Sequence, residues 1–553
     1  MNPSTWAART LVTELVRHGV RHVVLAPGSR SAPLAHALAT ASARGDLRLH
    51  VRVDERVAAF TALGLARVAG PVAVVTTSGT AAANLHPAVL EASHAGVPLL
   101  LLTADRPHEV RGTGANQTTD QVRLYGSAVR FFADVPAPYG RPGEDADLRA
   151  LLARAVAAAA GIRSGDPGPV HLDLAFREPL VPDDDAEWPA SAAGAVDVVA
   201  TAASAAAPVL LDAGPRTVVV AGDGAGPDAR AFAEAAGLPL LAEPSSGARS
   251  GPNAVGPCRL LLERPELGGR VERVVVFGHA TLSRPVSALL AGESAEVVVV
   301  GGAPDWIDAG RRAARVVSAV APPPGRVDGG EWLGAWQRAA KTAQDALDDV
   351  LAAGPLTGPA VAALVWAARR PGEALVAGSS NPVRDLDLAA APALDDLAGP
   401  VLANRGLAGI DGTLSTATGV ALASRAPVRA LVGDLTFLHD AGGLLIGPLE
   451  DRPDLQIVVV NDDGGGIFAL LEHGDPAHAD RFERVFGTPH GADLAALCAG
   501  YGVAHRRVTD AASLRSALGE PVTGRSVLEV PVARAALRDL HARLRAAVDV
   551  ALG

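Results

Sequence analysis

The apolar stretch Ala430-Leu431-Val432 leads into Gly433-Asp434-Leu435, and after 25 intervening residues the apolar run 457–460 leads into Asn461-Asp462-Asp463-Gly464. Short apolar runs of this kind are typical of buried parallel strands. In open α/β sheets, ligands gather at the carboxyl ends of strands, close to helix N-termini. Two ordinary strand exits would also carry Asp and Gly. The spacing nevertheless predicts a split cation and phosphate site, because two carboxylates and a backbone carbonyl suit Mg2+.

Three series of apolar runs alternate with Ala- and Leu-rich helical stretches. They extend from Val23 to about Phe176, from Thr217 to about Val320, and onward from about Leu375. Such alternation predicts parallel βαβ units. The Asp-, Ala-, Ser- and Pro-rich segment 182–208 is typical of a linker. We therefore predict an α/β fold of three doubly wound parallel-sheet domains at residues 1–182, 208–330 and 355–553.

Composition limits the possible functions of this chain. The 553 residues carry a net charge of -11, which argues against nucleic acid or anionic membranes as partners. No apolar run approaches the roughly 18 residues of a membrane helix. The N-terminus predicts an amphipathic helix capped near Ser4 or Thr5 rather than a signal peptide.

The two cysteines, Cys258 and Cys498, lie outside any CxxC spacing. We therefore expect neither a disulfide framework nor a zinc site. The expected location is the cytoplasm.

A glycine-rich turn in the second series offers a rival interpretation. The strand-like run 218–221 is followed by Gly222-Asp223-Gly224-Ala225-Gly226. Its next residue, Pro227, stands where the third glycine of a dinucleotide-binding GxGxxG motif is required. The turn indicates a tight strand-to-helix connection, and a non-enzymatic nucleotide-binding protein is the alternative that it supports.

Glu55 follows an apolar run that ends near Val53 and precedes a helix expected to begin near Val57. The helix dipole favours an acidic residue there, so the position alone is typical of a solvated helix start. A carboxylate in a dry pocket can also act as a general acid or base. Glu55 is therefore a candidate catalytic residue if a cofactor lies beside it.

The paired motif at 433–435 and 461–464 resembles the binding signature of thiamine diphosphate (ThDP) enzymes, a GDG and an NN pair about 25 residues apart. Leu435 replaces the last glycine of the first half, and Asp462 replaces the second asparagine. Asp462 keeps an oxygen ligand but adds a charge, so either Asp462 or Asn461 could ligate the metal. In this family a glutamate hydrogen-bonds N1′ of the aminopyrimidine ring and so assists removal of the C2 proton of the thiazolium.

Further segments narrow the resemblance to the 2-succinyl-5-enolpyruvyl-6-hydroxy-3-cyclohexene-1-carboxylate (SEPHCHC) synthase family of ThDP enzymes, over essentially the whole chain. The matching segments are 26–34, 54–56, 77–81, 103–107, 114–117, 379–384, 404–412 and 464–468. The resemblance implies a transferase of menaquinone biosynthesis that decarboxylates 2-oxoglutarate and adds the four-carbon unit to isochorismate. It also implies Mg2+ or Mn2+, and a homodimer or homotetramer whose sites combine the first domain of one subunit with the third of another. The alternative enzyme is another ThDP-dependent 2-oxoacid decarboxylase or ligase, such as acetohydroxyacid synthase.

The resemblance also implies roles for single residues. Glu55 would be the catalytic acid. The cofactor-binding set is Glu55, Gly79, Ile410, Gly433, Asp434, Leu435, Asp462, Gly464 and Ile467. The metal ligands would be Asp434, Asp462 and the carbonyl of Gly464. The substrate-binding set is Ser29, Arg30, Arg106, Asn116, Gln117, Arg284, Ser380, Arg384, Arg405, Ile467 and Phe468. Arg284 stands where the family can carry lysine, which lacks the planar fork of a guanidinium.

Four arginines support an anionic substrate without the resemblance. They lie in Gly-, Pro- or Asn-rich loops that follow strand-like runs, and are Arg30, Arg106, Arg384 and Arg405. Guanidinium groups in such loops suit bidentate binding of carboxylates. Singly, each is also typical of a surface salt bridge. Both implied substrates are dianions, which fits four such positions.

Overall fold

Three parallel β-sheets organise the chain, which confirms the predicted α/β fold class. The computed structural model describes residues 2–182, 188, 196–200, 207–302, 304–323, 330–394 and 399–553. Much of the predicted linker at 182–208 lies outside these residues. Contacts divide the chain into unit 1 (1–203, 406–425 and 440–453) and unit 2 (204–405, 426–439 and 454–553). The limits of the three domains stay a prediction.

The first sheet belongs to unit 1 and has six strands in the order β2-β1-β3-β4-β6-β5. The strands are β1 (His22–Leu25), β2 (Arg48–Val51), β3 (Val72–Thr76), β4 (Leu99–Asp105), β5 (Phe131–Val135) and β6 (Val170–Ala175). The helices are α1 (Pro3–Arg17), α2 (Ala32–Ala43), α3 (Glu55–Ala69), α4 (Thr80–Ala83), α5 (His86–His94) and α6 (Glu144–Ala159). Strands β1, β3, β4 and β6 are buried along their whole length, because helices cover both faces of the sheet.

The first helix differs from its sequence prediction at the N-cap. Asn2, rather than Ser4 or Thr5, is the cap, and its Oδ1 accepts the N–H of Thr5 at 2.8 Å. Pro3 then occupies the first helical position, where its missing N–H costs nothing. Among the described residues, no helix has both the length and the apolarity needed to cross a membrane.

The second sheet belongs to unit 2 and has five strands in the order β12-β11-β10-β8-β9, beside a two-stranded pair of β7 and β13. The strands are β7 (Val209–Leu210), β8 (Thr217–Ala221), β9 (Leu240–Ala242), β10 (Arg273–Phe277), β11 (Glu296–Val300), β12 (Ala313–Val317) and β13 (Val320–Ala321). The helices are α7 (Pro227–Ala236), α8 (Cys258–Leu261), α9 (Arg284–Ala291) and α10 (Glu331–Ala352). The valine-rich β8, β10 and β11 form the centre of this sheet, as their continuous apolar runs predict.

The third sheet, also in unit 2, has the order β15-β14-β16-β17-β19-β18, which repeats the connectivity of the first sheet. The strands are β14 (Ala374–Ala377), β15 (Val401–Leu402), β16 (Val428–Gly433), β17 (Leu455–Asn461), β18 (Ala504–Arg507) and β19 (Arg525–Pro531). The helices in this part of the chain, all of unit 2 except α13, are α11 (Gly358–Ala367), α12 (Asn381–Ala389), α13 (Thr413–Ser424), α14 (Asp434–His439), α15 (Ala479–Phe482), α16 (Leu494–Gly500), α17 (Ala511–Gly519) and α18 (Leu537–Leu552). The adjacent strands β16 and β17 pair in parallel, so the two halves of the motif, at 433–435 and 461–464, lie side by side at the carboxyl edge of this sheet.

Helix α13 belongs to unit 1, where it packs closely on α3, the helix that begins at Glu55. A Cβ at Gly64 of α3 would lie 2.0 Å from the carbonyl oxygen of Thr416. A Cβ at Gly419 of α13 would lie 2.1 Å from the carbonyl oxygen of Thr61. The two helices approach this closely only because both positions are glycine. This contact fixes the start of α3, and with it the place of Glu55.

Candidate active site

Asp434 directly follows the strand β16 and is the first residue of α14, and its side chain is buried. Its Oδ1 accepts the N–H of Leu435 at 2.6 Å, and its Oδ2 accepts the N–H of Gly464 at 2.9 Å. The Nε2 of His490 lies 3.2 Å from the same Oδ2. These contacts hold the two halves of the motif together. His490 lies in a distant loop, and nothing in the sequence pattern indicated its position.

Asp462 and Asn461 have different surroundings at the end of β17. The Nδ2 of Asn461 donates to Oε1 of Glu529 at 2.9 Å, and its Oδ1 accepts the N–H of Asp463 at 3.1 Å. Burial, and then the charge of Asp434, raises the pKa of Asp462 to about 7. Two neighbouring carboxylates repel each other when both are ionised. A divalent cation bound between them would remove this repulsion. The residues present therefore fit a cation, with Asp462 in the better position to bind it.

Glycine is required at position 464. Gly464 has φ +138°, and a Cβ there would lie 1.9 Å from the carbonyl oxygen of Gly487. The carbonyl oxygen of Gly464 accepts the N–H of Gly466 at 3.1 Å, which leaves its second lone pair for a cation. A Cβ at Gly433 would meet no atom within 4 Å, so there is open space beside the end of β16. Across the described part of the chain, no group of three or more His, Cys, Asp or Glu side chains could hold a metal ion, so this site would combine two carboxylates and a carbonyl.

Arg405 and Arg384 form the cationic part of the unit 2 site. Arg405 is only 3% exposed, and its Nη2 donates to Oγ1 of Thr281 at 3.0 Å. Its Nε and Nη1 are buried without a hydrogen-bond partner. The Nη1 of Arg384 donates to the carbonyl of Ser380 at 2.8 Å, and burial followed by the charge of Arg405 lowers the pKa of Arg384. Two neighbouring guanidinium groups, of which Arg405 has buried N–H groups without a partner, fit an anion.

The other predicted substrate residues of unit 2 are less buried. Arg284 begins α9 with a 74% exposed side chain, and its Nη1 lies 3.3 Å from Oε1 of the exposed Glu472. Ile467 and Phe468 lie half-buried in the 3-10 turn Gly466–Leu470. The ring of Phe468 is 5.7 Å from that of Phe486. Among the residues that the structure describes, no hydrogen bond or ion pair joins Arg284 to Arg384 or Arg405.

Glu55 is the first residue of α3, and it is half-buried. Oδ1 of Asp54 caps the helix by accepting the N–H groups of Arg56 and Val57 at 2.8 and 3.1 Å. Because Asp54 performs the capping, the carboxylate of Glu55 is not needed for it. Ile410 is half-buried in unit 1 as well, and its carbonyl accepts the hydroxyl of Thr413 at 3.3 Å.

The unit 1 substrate loops bring Arg30 and Arg106 together. The Nη1 of Arg30 donates to the carbonyl of Phe176 at 2.9 Å, and burial followed by the charge of Arg106 lowers the pKa of Arg30. The Nη2 of Arg106 donates to the carbonyl of Asn116 at 2.9 Å. Asn116 and Ser29 are exposed. A second arginine pair therefore lies at the carboxyl end of the first sheet.

The loop at Gly79 is tied to the loop at Gln117. The Nε2 of Gln117 donates to the carbonyl of Ser78 at 2.9 Å, and Oγ of Ser78 donates to the carbonyl of Gln117 at 2.9 Å. Gly79 has φ +83°, and a Cβ there would lie 3.0 Å from Cγ of Gln117. The N–H of Gly79 donates to Oε1 of Gln121 at 2.9 Å. These hydrogen bonds hold two loops together. One carries Gly79, a candidate cofactor-binding residue, and the other carries Gln117, a candidate substrate-binding residue.

Buried charges under these loops were not predicted from the sequence. The Nε of Arg111 lies 2.9 Å from Oδ2 of Asp105, and its Nη2 lies 3.7 Å from Oδ2 of Asp173. The Nε2 of Gln121 donates to Oδ1 of Asp173 at 2.9 Å. Burial, and then the neighbouring Asp105, raises the pKa of Asp173. Only the folded chain brings these residues together, since they come from β4, β6 and two loops.

Comparison with known proteins agrees with the family resemblance of the sequence motifs. Residues 5–124 match the family model described as the thiamine pyrophosphate enzyme N-terminal TPP binding domain, and residues 396–530 match its C-terminal TPP binding domain. A SEPHCHC synthase of Kineococcus radiotolerans is 55% identical, with the whole of both chains covered. Others from Paenarthrobacter aurescens (53%, covering 100% of this chain and 98% of the relative) and Arthrobacter sp. (52%, covering 99% and 92%) are similar over the same extent.

The chain belongs to the SEPHCHC synthase family. It is thus a ThDP-dependent enzyme of the transferase class, with both halves of the ThDP-binding machinery. Family membership leaves no role for the rival turn at 222–226, and its geometry agrees. A Cβ at Gly222 would lie 2.1 Å from the N atom of Ala280, and Asp223 exchanges backbone hydrogen bonds with His279 at 2.8 and 3.0 Å. The start of this turn is therefore packed against the segment at His279 and Ala280.

Proposed function

We propose that this chain decarboxylates 2-oxoglutarate and adds the resulting four-carbon unit to isochorismate, giving SEPHCHC in menaquinone biosynthesis. The observation that carries the proposal is the buried Arg405, whose Nε and Nη1 have no partner beside the second cation Arg384. Such N–H groups are costly to bury unless a ligand binds them. A substrate with a second carboxylate would satisfy them through paired hydrogen bonds.

ThDP, when bound, supplies the electron sink for the loss of CO2. Glu55 would bind the aminopyrimidine and hold a proton at its N1′ atom. Asp434, Asp462 and the carbonyl of Gly464 would bind Mg2+ or Mn2+, and Ile410 would support the cofactor. Asp462 is preferred over Asn461 as the ligand because Oδ1 of Asn461, the atom that would bind a cation, already accepts the N–H of Asp463.

The arginine pairs would bind and orient the two substrates. Each substrate is a dianion, and each pair of guanidinium groups lies near the carboxyl end of a parallel sheet, with Arg384 in the first turns of α12 rather than in the loop that the sequence predicted. Arg384 and Arg405 in unit 2 and Arg30 and Arg106 in unit 1 would each take carboxylates. Ser29, Asn116, Gln117, Ser380, Arg284, Ile467 and Phe468 would complete the substrate-binding set.

The rival within the enzyme class is a pyruvate-using ligase such as acetohydroxyacid synthase. Pyruvate has a single carboxylate and would leave one of the arginines in each pair without a partner. The test is release of CO2 from 2-oxoglutarate and from pyruvate by the purified chain with ThDP and Mg2+. We expect 2-oxoglutarate to be used and pyruvate to be nearly inert, whereas a preference for pyruvate would overturn the proposal.

Arg405→Met should test the carboxylate-binding role. The variant keeps the length of the side chain but loses the charge-assisted hydrogen bonds, so kcat/KM for 2-oxoglutarate should fall by about 100-fold or more. Lys341→Met is the control, because Lys341 forms an exposed ion pair with Asp345. Steady-state CO2 release measures both variants, and equal values would remove Arg405 from the substrate site.

We also propose that the functional enzyme is at least a dimer, in which Glu55 of one copy serves the ThDP held by Asp434 of another. Large apolar side chains are exposed close to Glu55, with Val53 at 73% and Leu449 at 97%. Glu450 connects the two segments, since its Oε2 accepts the N–H of Val51 at 2.8 Å. These two exposed apolar side chains, in segments joined by Glu450, support an interface on this side of unit 1.

Leu449→Asp should therefore weaken assembly. A charge in an apolar interface is left without a partner, so the variant should sediment as a monomer and lose most activity. Val550→Asp is the matched control, since Val550 is also exposed (83%) but lies at the C-terminal helix α18. A fully active monomer in sedimentation would contradict the proposal.

The cytoplasm is the compartment we propose. Both cysteines, Cys258 and Cys498, are free and buried. Unpaired thiols are the usual state in the reducing cytoplasm.

A further inference from the structure

Glu243 is a buried acid of unit 2 to which the proposed function gives no role. It directly follows β9 at the carboxyl edge of the second sheet, and its side chain is 5% exposed or less. Its Oε1 accepts two backbone N–H groups, those of Thr281 at 3.0 Å and Leu282 at 2.8 Å. Its Oε2 is buried and has no hydrogen-bond partner. A side chain held this tightly fixes the turn at Thr281 and Leu282.

That turn reaches the substrate arginine. Thr281 is itself exposed, and its hydroxyl oxygen accepts Nη2 of Arg405 at 3.0 Å. Because Nη2 of Arg405 donates to Thr281, Nε and Nη1 are the guanidinium nitrogens that have no hydrogen-bond partner. Glu243, Thr281 and Arg405 therefore form one chain of contacts, which begins at the second sheet and ends at the guanidinium.

We propose that Glu243 is a positioning residue for substrate binding, which orients Arg405 through Thr281 and leaves Nε and Nη1 of Arg405 free for a substrate carboxylate. The inference rests on the proposed function, since it needs a carboxylate substrate at Arg405. It assigns a role to the second sheet, which the family models at 5–124 and 396–530 do not cover.

The protonation state of Glu243 explains why an acid can serve here. Burial is the main cause that raises the pKa of Glu243 to about 8; Asp387 and Asp223 contribute to the rise, and the Leu282 N–H and Arg405 oppose it. At neutral pH the group is largely protonated, so it does not cancel the charge of Arg405. The N–H groups of Thr281 and Leu282 both donate to Oε1, which leaves Oε2 as the oxygen that carries the proton. Above pH 8, ionised Glu243 would compete with the substrate carboxylate for Arg405.

Glu243→Ala and Glu243→Gln test the proposal with ThDP and Mg2+ present. The alanine variant releases the turn, so the KM for 2-oxoglutarate should rise about tenfold or more, with a smaller change in kcat. The glutamine variant keeps an oxygen acceptor at Oε1 and stays neutral, so it should restore most of the binding. The wild-type KM should rise above pH 8, and the KM of the glutamine variant should not.

Two further variants separate positioning from stability. Glu373→Ala removes another buried acid of unit 2, one that lies before β14 and 3.5 Å from Arg429, and it should lower Tm without changing KM. Thr281→Val removes only the hydroxyl acceptor of Arg405, so it should raise KM, and its effect should not add to that of Glu243→Ala. If Glu243→Ala does not fold, the KM of Thr281→Val and the pH dependence of KM in Glu243→Gln still test the positioning role of Glu243.

The outcomes distinguish this inference from the proposed function. No CO2 release from 2-oxoglutarate by the wild-type chain would overturn the proposed function. Wild-type turnover with an unchanged KM in Glu243→Ala or Thr281→Val would overturn the role of Glu243 alone. An alkaline rise in KM that persists in Glu243→Gln would also contradict it.

Discussion

Glu55→Gln is expected to lower kcat by about 10²- to 10⁴-fold, the range typical of losing a positioned general acid or base. Glutamine keeps the size of the side chain but cannot hold or release the proton at N1′ of the cofactor. ThDP affinity should stay largely intact, because the diphosphate and cation are bound through Asp434 and its neighbours. Helix α3 should also stay intact, since Asp54 rather than Glu55 caps it.

The control for this experiment is Glu144→Gln. Glu144 is likewise half-buried and the first residue of a helix, α6, so its change removes the same charge from a helix start in the same unit. Single-turnover CO2 release and calorimetric titration with ThDP measure both variants. Near-normal turnover of Glu55→Gln would remove Glu55 from the chemistry.

Asp434→Ala is expected to have the second largest effect, a loss of about 100-fold or more in Mg2+-dependent ThDP affinity. The carboxylate would bind the cation directly, and the cation in turn binds the diphosphate. The variant also leaves the N–H groups of Leu435 and Gly464 without their acceptor, so stability should fall by about 1–3 kcal/mol. Titrations with ThDP at several Mg2+ concentrations separate the two effects, because only the first depends on the metal.

Asp463→Ala is the matched control for Asp434→Ala. Asp463 lies in the same loop, is exposed, and accepts the N–H groups of His490 and Gly491 at 3.1 and 2.9 Å. It should lose a little stability but keep the Mg2+ dependence. Unchanged ThDP affinity in Asp434→Ala would contradict the metal-binding role of the paired motif.

The strands that the sequence predicted well are buried on both faces. The first and second series of apolar runs include the stretches 72–76 and 273–277, which coincide with β3 and β10, because an uninterrupted apolar run is the signal of a central parallel strand. Strands β5 and β12 lie at sheet edges and mix exposed with half-buried residues, so they carry no such signal. The three-residue β9 is too short to be distinguished from a loop.

The site residues divide in the same way. The candidates that lie in strand-exit loops, such as Asp434 and Arg405, could be found from local motifs and from the family resemblance. The residues that hold them, such as His490, Arg111 and Glu243, are defined by contacts between segments far apart in sequence. No spacing rule reports such contacts, because they exist only after the sheets have formed.

The measurement that tests the central claim most directly is product formation from isochorismate and uniformly 13C-labelled 2-oxoglutarate, followed by mass spectrometry. The purified chain with ThDP and Mg2+ should release one labelled CO2 for each isochorismate consumed. The product should carry the remaining four labelled carbons on the isochorismate skeleton. Labelled CO2 with unchanged isochorismate, or no reaction with ThDP and Mg2+ present, would contradict the account.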